Sequence, residues 1–200
     1  MALATIATLT TGTPCEAQGH ATKTKEMENK KVLVAYFSRA DENWAVGNIK
    51  VGNTRIVADM IADRTGADVF QIETVAPYPA DYQQCIDVAR KEMNTKARPA
   101  ISGDAAVEGY DIVLLGYPNW WGDVPMAVYT FLEKHDWSGK TVIPFCTHEG
   151  SGLGQTVRKI GAAMKGAKLE KGLAVRGATA QNSRHEAEAA VKAWLESLGF

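Results

Sequence analysis

Apolar residues in this chain gather in short continuous runs, and the stretches between them repeat apolar positions every three or four residues. Residues 31–37 are apolar after the opening lysine and partly β-branched, as in a strand buried on both faces of a parallel sheet. Residues 38–51 are polar and turn-prone. Gly52-Asn53-Thr54 then opens a helical pattern carried by Ile56, Val57, Met60 and Ile61 and closed by Gly66. Residues 68–74 alternate as a second strand, and residues 82–96 form an amphipathic helix entered through Pro77-Tyr78-Pro79-Ala80-Asp81. Residues 98–110 read as a loop and residues 111–116 as a third strand. Pro125 suits a first helical turn, and residues 127–134 continue that helix. Residues 140–146 give a fourth strand, followed by a glycine-rich loop and a helix ending at Met164. Residues 168–176 make a last strand. Residues 184–198 make a closing helix with Ala187, Ala190, Val191, Trp194, Leu195 and Leu198 on its inner face.

Strands alternating with helices predict an α/β fold, a three-layer α-β-α sandwich around a five-stranded parallel sheet, because right-handed crossovers place helices on both faces. Ligands of such sheets lie beyond the carboxyl ends of the strands, near the point where strand order reverses. The loops after strands one, three and four are therefore the ones to inspect.

Composition narrows the function more than the fold. The 22 basic and 23 acidic side chains leave a net charge of -1, so no global field attracts nucleic acid or an anionic membrane. No run approaches the ~20 apolar residues of a membrane span. Cys15, Cys85 and Cys146 are too scattered for a disulfide framework or a zinc knuckle, and no metal is expected. Residues 1–30 differ from the body at 31–200. They read either as a disordered leader on a cytoplasmic protein, or as a signal-like segment over residues 1–18, weakly apolar and without a basic start, that directs export to the periplasm.

Each of the three loops has a chemical reading and a plainer one. In the first, Ser38, Asn53 and Thr54, with backbone N–H groups at a helix start, can hold a phosphate without a dedicated lysine, and Arg39 and Arg55 are nearby cations. Alternatively Asn53 or Thr54 caps the helix and nothing more. In the second, Trp120 and Trp121 cannot both point inward from one strand end, so one is expected at the mouth of the sheet, where it can flank a planar ligand. Gly122 adds a freely turning backbone before Asp123. The third, Thr147 to Gly154, brings glycines that let main chain approach a ring, together with His148 and Glu149, which serve a proton step or are merely solvated.

Several motifs fail. Gly139-Lys140-Thr141 precedes a strand, and Lys134 stands where a P-loop has its first glycine. Ser151 has Glu149 two residues before it, not the glycine of a nucleophile elbow. Ser38-Arg39 replaces the carboxylate pair that a metal-binding receiver domain needs after strand one.

Taken together, Tyr36-Phe37-Ser38-Arg39, Gly52-Asn53-Thr54, Gly116-Tyr117-Pro118-Asn119-Trp120-Trp121-Gly122-Asp123, Pro125-Met126, Phe131-Leu132-Glu133 and the run from Ser138 to Gly152 resemble a flavodoxin of the short, bacterial type over residues 31–200. The resemblance implies the sheet order 2-1-3-4-5 and FMN as cofactor. It places the FMN phosphate on Ser38, Asn53 and Thr54 beside Arg39, and the ring against Pro118, Asn119, Trp120, Trp121 and Gly122. Thr147, Glu149, Gly150, Ser151 and Gly152 close the other side. In that family a peptide in the tryptophan loop turns over to meet the reduced ring, and Gly122-Asp123 is the matching position. Catalytic candidates are Gly122, Asp123 and His148. The chain departs from the family in two ways: its third loop lacks the tyrosine that covers the outer ring face, and its charge is nearly neutral where electron carriers are acidic. The implied function is an FMN-binding redox protein carrying electrons between protein partners. The alternative is an FMN-dependent NAD(P)H:quinone-type reductase with a small-molecule acceptor. A third reading is a non-redox binding module anchored by the tryptophans.

Overall fold

The computed structural model describes residues 29–200, so the leader, apart from its last two residues, lies outside the described residues. The central sheet is parallel and runs β4-β1-β7-β8-β10, where β1 is Val32–Tyr36, β4 Asp68–Gln71, β7 Ile112–Pro118, β8 Thr141–His148 and β10 Leu173–Arg176. These are the five strands expected, in the order 2-1-3-4-5. A sixth, β9 (Lys168–Leu169), pairs with the start of β8.

Residues 168–176 are thus two strands where one was expected, and Pro144 explains the gap. Glu170 N–H donates to Val142 O at 3.0 Å. The next rung of a parallel ladder needs an N–H from residue 144, which a proline lacks. The expected second strand is also divided. After β4, Ile72 N–H donates to Tyr36 O, and β5 (Glu73–Thr74) turns away to pair antiparallel with β6 (Ile101–Ser102). That pairing gives the expected loop at 98–110 a strand and a short 3-10 turn at Val107–Gly109.

Side chains alternate across the sheet and both sets are buried. Leu33, Ala35, Val113, Leu115 and Tyr117 face α3 (Met126–Glu133) and α4 (Thr156–Ala163), with Phe131, Trp137 and Ile160 completing that core. Val34, Tyr36, Leu114, Ile143 and Phe145 face α1 (Asn53–Thr65) and α6 (Arg184–Leu198), meeting Val57, Ile61, Val191 and Trp194. Each such aliphatic or aromatic side chain contributes about 1.5–3 kcal/mol relative to exposure.

Three further elements shape the edge where ligands bind. α2 (Tyr82–Thr95) is capped by the Asp81 carboxylate, which accepts from Gln84 N–H. α5 (Gly177–Asn182) precedes α6. The polar stretch after β1 folds into an antiparallel hairpin, β2 (Asp41–Asn43) and β3 (Gly47–Ile49). Among the described residues no helix is long and apolar enough to cross a membrane.

Candidate functional site

Register brings the three loops together. Tyr36 lies beside Gly116, Gly116 beside Phe145, and Pro118 beside Thr147, so β1, β7 and β8 end along one edge, where strand order reverses. Gly116 permits this packing, because a Cβ there would stand 2.2 Å from Phe145 Cζ.

In the first loop, Gly52 passes so close to Ser38 that an added Cβ would meet its Oγ at 2.3 Å and the Arg39 carbonyl at 2.4 Å. Ser38 Oγ accepts the Arg55 N–H at 3.0 Å, which leaves its own proton free to donate. The N–H groups of Asn53 and Thr54, at the start of α1, donate to nothing among the described residues. Thr54 is buried, and its hydroxyl lies 2.7 Å from that of Thr147, tying the first loop to the third. Asn53 Oδ1 accepts from Gln181 of α5. Arg39 is engaged elsewhere: its guanidinium donates to the carbonyls of Glu42, Pro79 and Ala80 at 2.5, 2.5 and 2.7 Å. Its Nε is buried without a partner among the described residues.

The second loop is a two-residue turn. Trp120 and Asp123 exchange both backbone hydrogen bonds at 2.9 Å, and Trp121 and Gly122 have φ of 55° and 72°, the type I′ pattern. Left-handed backbone costs a tryptophan about 1 kcal/mol or more. Trp120 packs edge-on against Phe37 and Tyr78, whereas Trp121 is 43% exposed with the Arg90 guanidinium 3.9 Å from its ring centroid. Asp123 is buried and spends its carboxylate on the fold: Oδ1 accepts from Val124 N–H and the Tyr129 hydroxyl, and Oδ2 pairs with Lys159 at 2.7 Å.

The third loop is bound to the second through Asn119, whose N–H reaches Thr147 O and whose amide spans Gly152 O and Gly122 N–H. Gly150 and Gly152 hold φ of 133° and 57°, which only glycine adopts freely. His148 Nδ1 accepts from Gly150 N–H at 2.8 Å, so the neutral ring carries its proton on Nε2. Burial holds its pKa below the ordinary value. Glu149 accepts from Ala178 N–H at 2.7 Å, joining this loop to α5. Burial pushes the Cys146 thiol up to about 12, so it is no thiolate nucleophile.

These loops line a cleft of about 360 Å³, within the size range of small-molecule sites. Of the expected residues, Arg39, Asn53, Pro118, Asn119, Trp120, Trp121, Thr147, His148, Glu149, Gly150 and Ser151 line it, whereas Ser38, Thr54, Gly122, Asp123 and Gly152 do not. The far wall consists of residues that sequence reasoning missed: Asn43 and Trp44 from the hairpin, and Tyr82, Cys85, Ile86 and Ala89 from α2. A lone tryptophan in a polar insertion was the available signal for the hairpin. The α2 residues give none, since an apolar helix face ordinarily means core.

A flavodoxin family model matches residues 31–198. The structure is similar to a protein assigned as a flavoprotein from Bacteroides eggerthii, at 30% identity and TM-score 0.68 over 86% of this chain and 99% of that one. A second such protein, from Bacteroides uniformis, is 28% identical with TM-score 0.67 over 84% and 99%. A flavoprotein from Lactobacillus acidophilus, solved in complex with FMN, shares the fold at 22% identity and TM-score 0.58 over 75% and 95%. No curated protein matches the chain.

Proposed function

The chain belongs to the flavodoxin family, and from that premise we propose that it binds FMN along the cleft and acts as a redox protein passing electrons between protein partners. One observation carries the reading: the start of α1, which reaches the cleft at Asn53 and whose Asn53 and Thr54 N–H groups have no partner among the described residues, and an aromatic turn at Trp120-Trp121 border one small cleft. The donors suit a phosphate dianion. They are two N–H groups on the positive end of α1, the free proton of Ser38, the spare proton of the Thr54–Thr147 hydroxyl pair and the partnerless Arg39 Nε. Gly52 is the cradle, since any side chain there would fill the space between Ser38 and Arg39.

FMN, when bound, would supply one- and two-electron redox chemistry at the cleft. The protein holds and shields it. Pro118, Asn119 and Trp121 would wall its ring, the left-handed glycines of the third loop would let main chain approach it, and His148 Nε2–H would offer a neutral donor from the cleft wall. Buried Cys85 and Cys146 keep their protons.

The second reading is a reductase that takes hydride from NAD(P)H and reduces a quinone-type acceptor. It is favoured by the wall of Trp44 and α2, which makes the site a cleft where a carrier would expose the flavin edge, and by the net charge of -1. The test is a titration of the purified full chain with FMN, followed by reduction with each nicotinamide and an acceptor panel. Saturable binding, with FMN released on denaturation, supports the cofactor assignment, and absence of binding overturns it. Nicotinamide oxidation coupled to quinone selects the reductase, and reduction only through a protein partner selects the carrier.

A further inference from the structure

Trp44 is the most exposed tryptophan of the described chain, at 65%, yet it lines the cleft and its surroundings are built firmly. It opens the tip of the β2–β3 hairpin, where Asn43 pairs with Gly47. Asp41, Ala45 and Gly47 take φ of 65°, 64° and 68°, a left-handed backbone that the two residues other than glycine disfavour. Arg39 bolts the hairpin to the segment before α2 through Glu42 O, Pro79 O and Ala80 O. Glu42 N–H donates to Ala80 O, and the Glu42 carboxylate accepts Tyr82 N–H at 2.9 Å. Asn43 ties the tip back to the carbonyls of Ala40 and Asp41.

Nothing in this arrangement buries the indole. Its ring meets Tyr82 at 5.9 Å with planes tilted by 35°, and the exposed remainder forgoes the stabilisation that core packing would bring. A strained and tightly fastened loop that keeps a large aromatic on the rim of a cleft fits a ligand wall better than an ordinary surface residue. The third loop, from Thr147 to Gly154, contains no Phe, Tyr or Trp to cover a planar ring.

We infer that Trp44 is a flavin-binding residue: the hairpin supplies the aromatic cover for the ring that the third loop lacks, and Arg39 positions that hairpin. This rests on the FMN reading above. It gives Arg39 a supporting role, through its terminal guanidinium nitrogens, in addition to the Nε–H it offers to phosphate.

The experiment titrates the full chain and its Trp44→Ala and Trp44→Phe variants with FMN and with lumiflavin, which carries the ring without ribityl phosphate. In parallel, the Trp44 indole N–H is followed by NMR in the unsubstituted chain. Trp44→Ala is expected to weaken FMN and lumiflavin alike, by about tenfold, the scale of one lost ring contact. Trp44→Phe should retain most of the affinity, and the indole signal should shift on FMN binding. Unchanged affinity for both ligands in Trp44→Ala, loss for FMN alone, or an indole signal indifferent to FMN overturns the inference. If the unsubstituted chain binds no FMN, the FMN reading fails first, which is distinct from a chain that binds FMN and ignores Trp44. Should Trp44→Ala fail to fold, the phenylalanine variant and the indole signal still decide.

Discussion

Lys159 Nζ lies 2.7 Å from Asp123 Oδ2 and 3.3 Å from the Gly122 carbonyl, so one side chain of α4 grips both residues at the end of the tryptophan turn. The turn needs such a hold, because Trp121 sits in left-handed backbone that its side chain disfavours. Lys159→Met keeps the aliphatic stem and removes the charge, leaving a buried carboxylate with its two remaining donors, Val124 N–H and the Tyr129 hydroxyl. With Lys159 about one-third exposed, the expected cost is only about 1 kcal/mol of stability, read from a urea midpoint. The larger change is expected at Trp121, with fluorescence more accessible to acrylamide and weaker FMN binding. A turn whose Trp121 is equally shielded in the variant would show that Lys159 does not hold it.

Thr54→Val is expected to separate binding from folding. The substitution removes a hydroxyl at the start of α1 and leaves Thr147 Oγ1 without its partner at 2.7 Å. Loss of a charge-assisted hydrogen bond to phosphate should weaken FMN by about tenfold or more. Riboflavin, which lacks the phosphate, should bind nearly as before. Adding Thr147→Val should restore part of the stability lost with the unpaired hydroxyl, because replacing both partners avoids a buried orphan. Equal losses for FMN and riboflavin in calorimetric titrations would move the phosphate elsewhere.

The sheet and most helices were legible because their apolar periods are long. β1, β7 and β8 are continuous buried runs, and α1 and α6 carry the helical stripe their cores use. The hairpin was not, since Asp-Glu-Asn and Gly-Asn-Ile have no apolar alternation and are held by Arg39 and Glu42 across to residues 79–82. α5, with its sequence Gly-Ala-Thr-Ala-Gln-Asn, is equally silent, and its position follows from Glu149 and Asn53 docking on it. For the same reason the loop residues of the site could be read locally, whereas the wall from Trp44 to Ala89 exists only once tertiary packing has brought the hairpin and α2 to the cleft.

Gly52→Ala should damage the site without replacing any side chain that lines it. The new methyl would stand 2.3 Å from Ser38 Oγ and 2.4 Å from the Arg39 carbonyl, and the second contact is backbone that cannot rotate away. Relief requires the start of α1 to move from Ser38, at a cost of about 1–3 kcal/mol. Thermal denaturation should show that loss, and FMN affinity should fall further than in Thr54→Val because all the donors of this loop shift together. An alanine variant with unaltered melting and affinity would mean that the loop is more pliant than its packing indicates.

His148 makes the third loop sensitive to acid. Burial is the main cause of its lowered pKa, Glu149 opposes the shift and Arg176 adds to it. The unfolded chain therefore takes up this proton before the folded one does. Its contribution to stability is complete above the ordinary imidazole value of 6.5 and is lost as pH falls from there toward the depressed value of the folded state. Protonation also converts Nδ1 from acceptor to donor and breaks its bond from Gly150 N–H, which loosens the loop facing the cleft. His148→Asn retains a side-chain acceptor but cannot titrate, so its stability should fall less steeply below pH 6.5 than that of the unsubstituted chain. Urea midpoints measured against pH for both proteins check this, and parallel curves would assign the acid sensitivity to other groups.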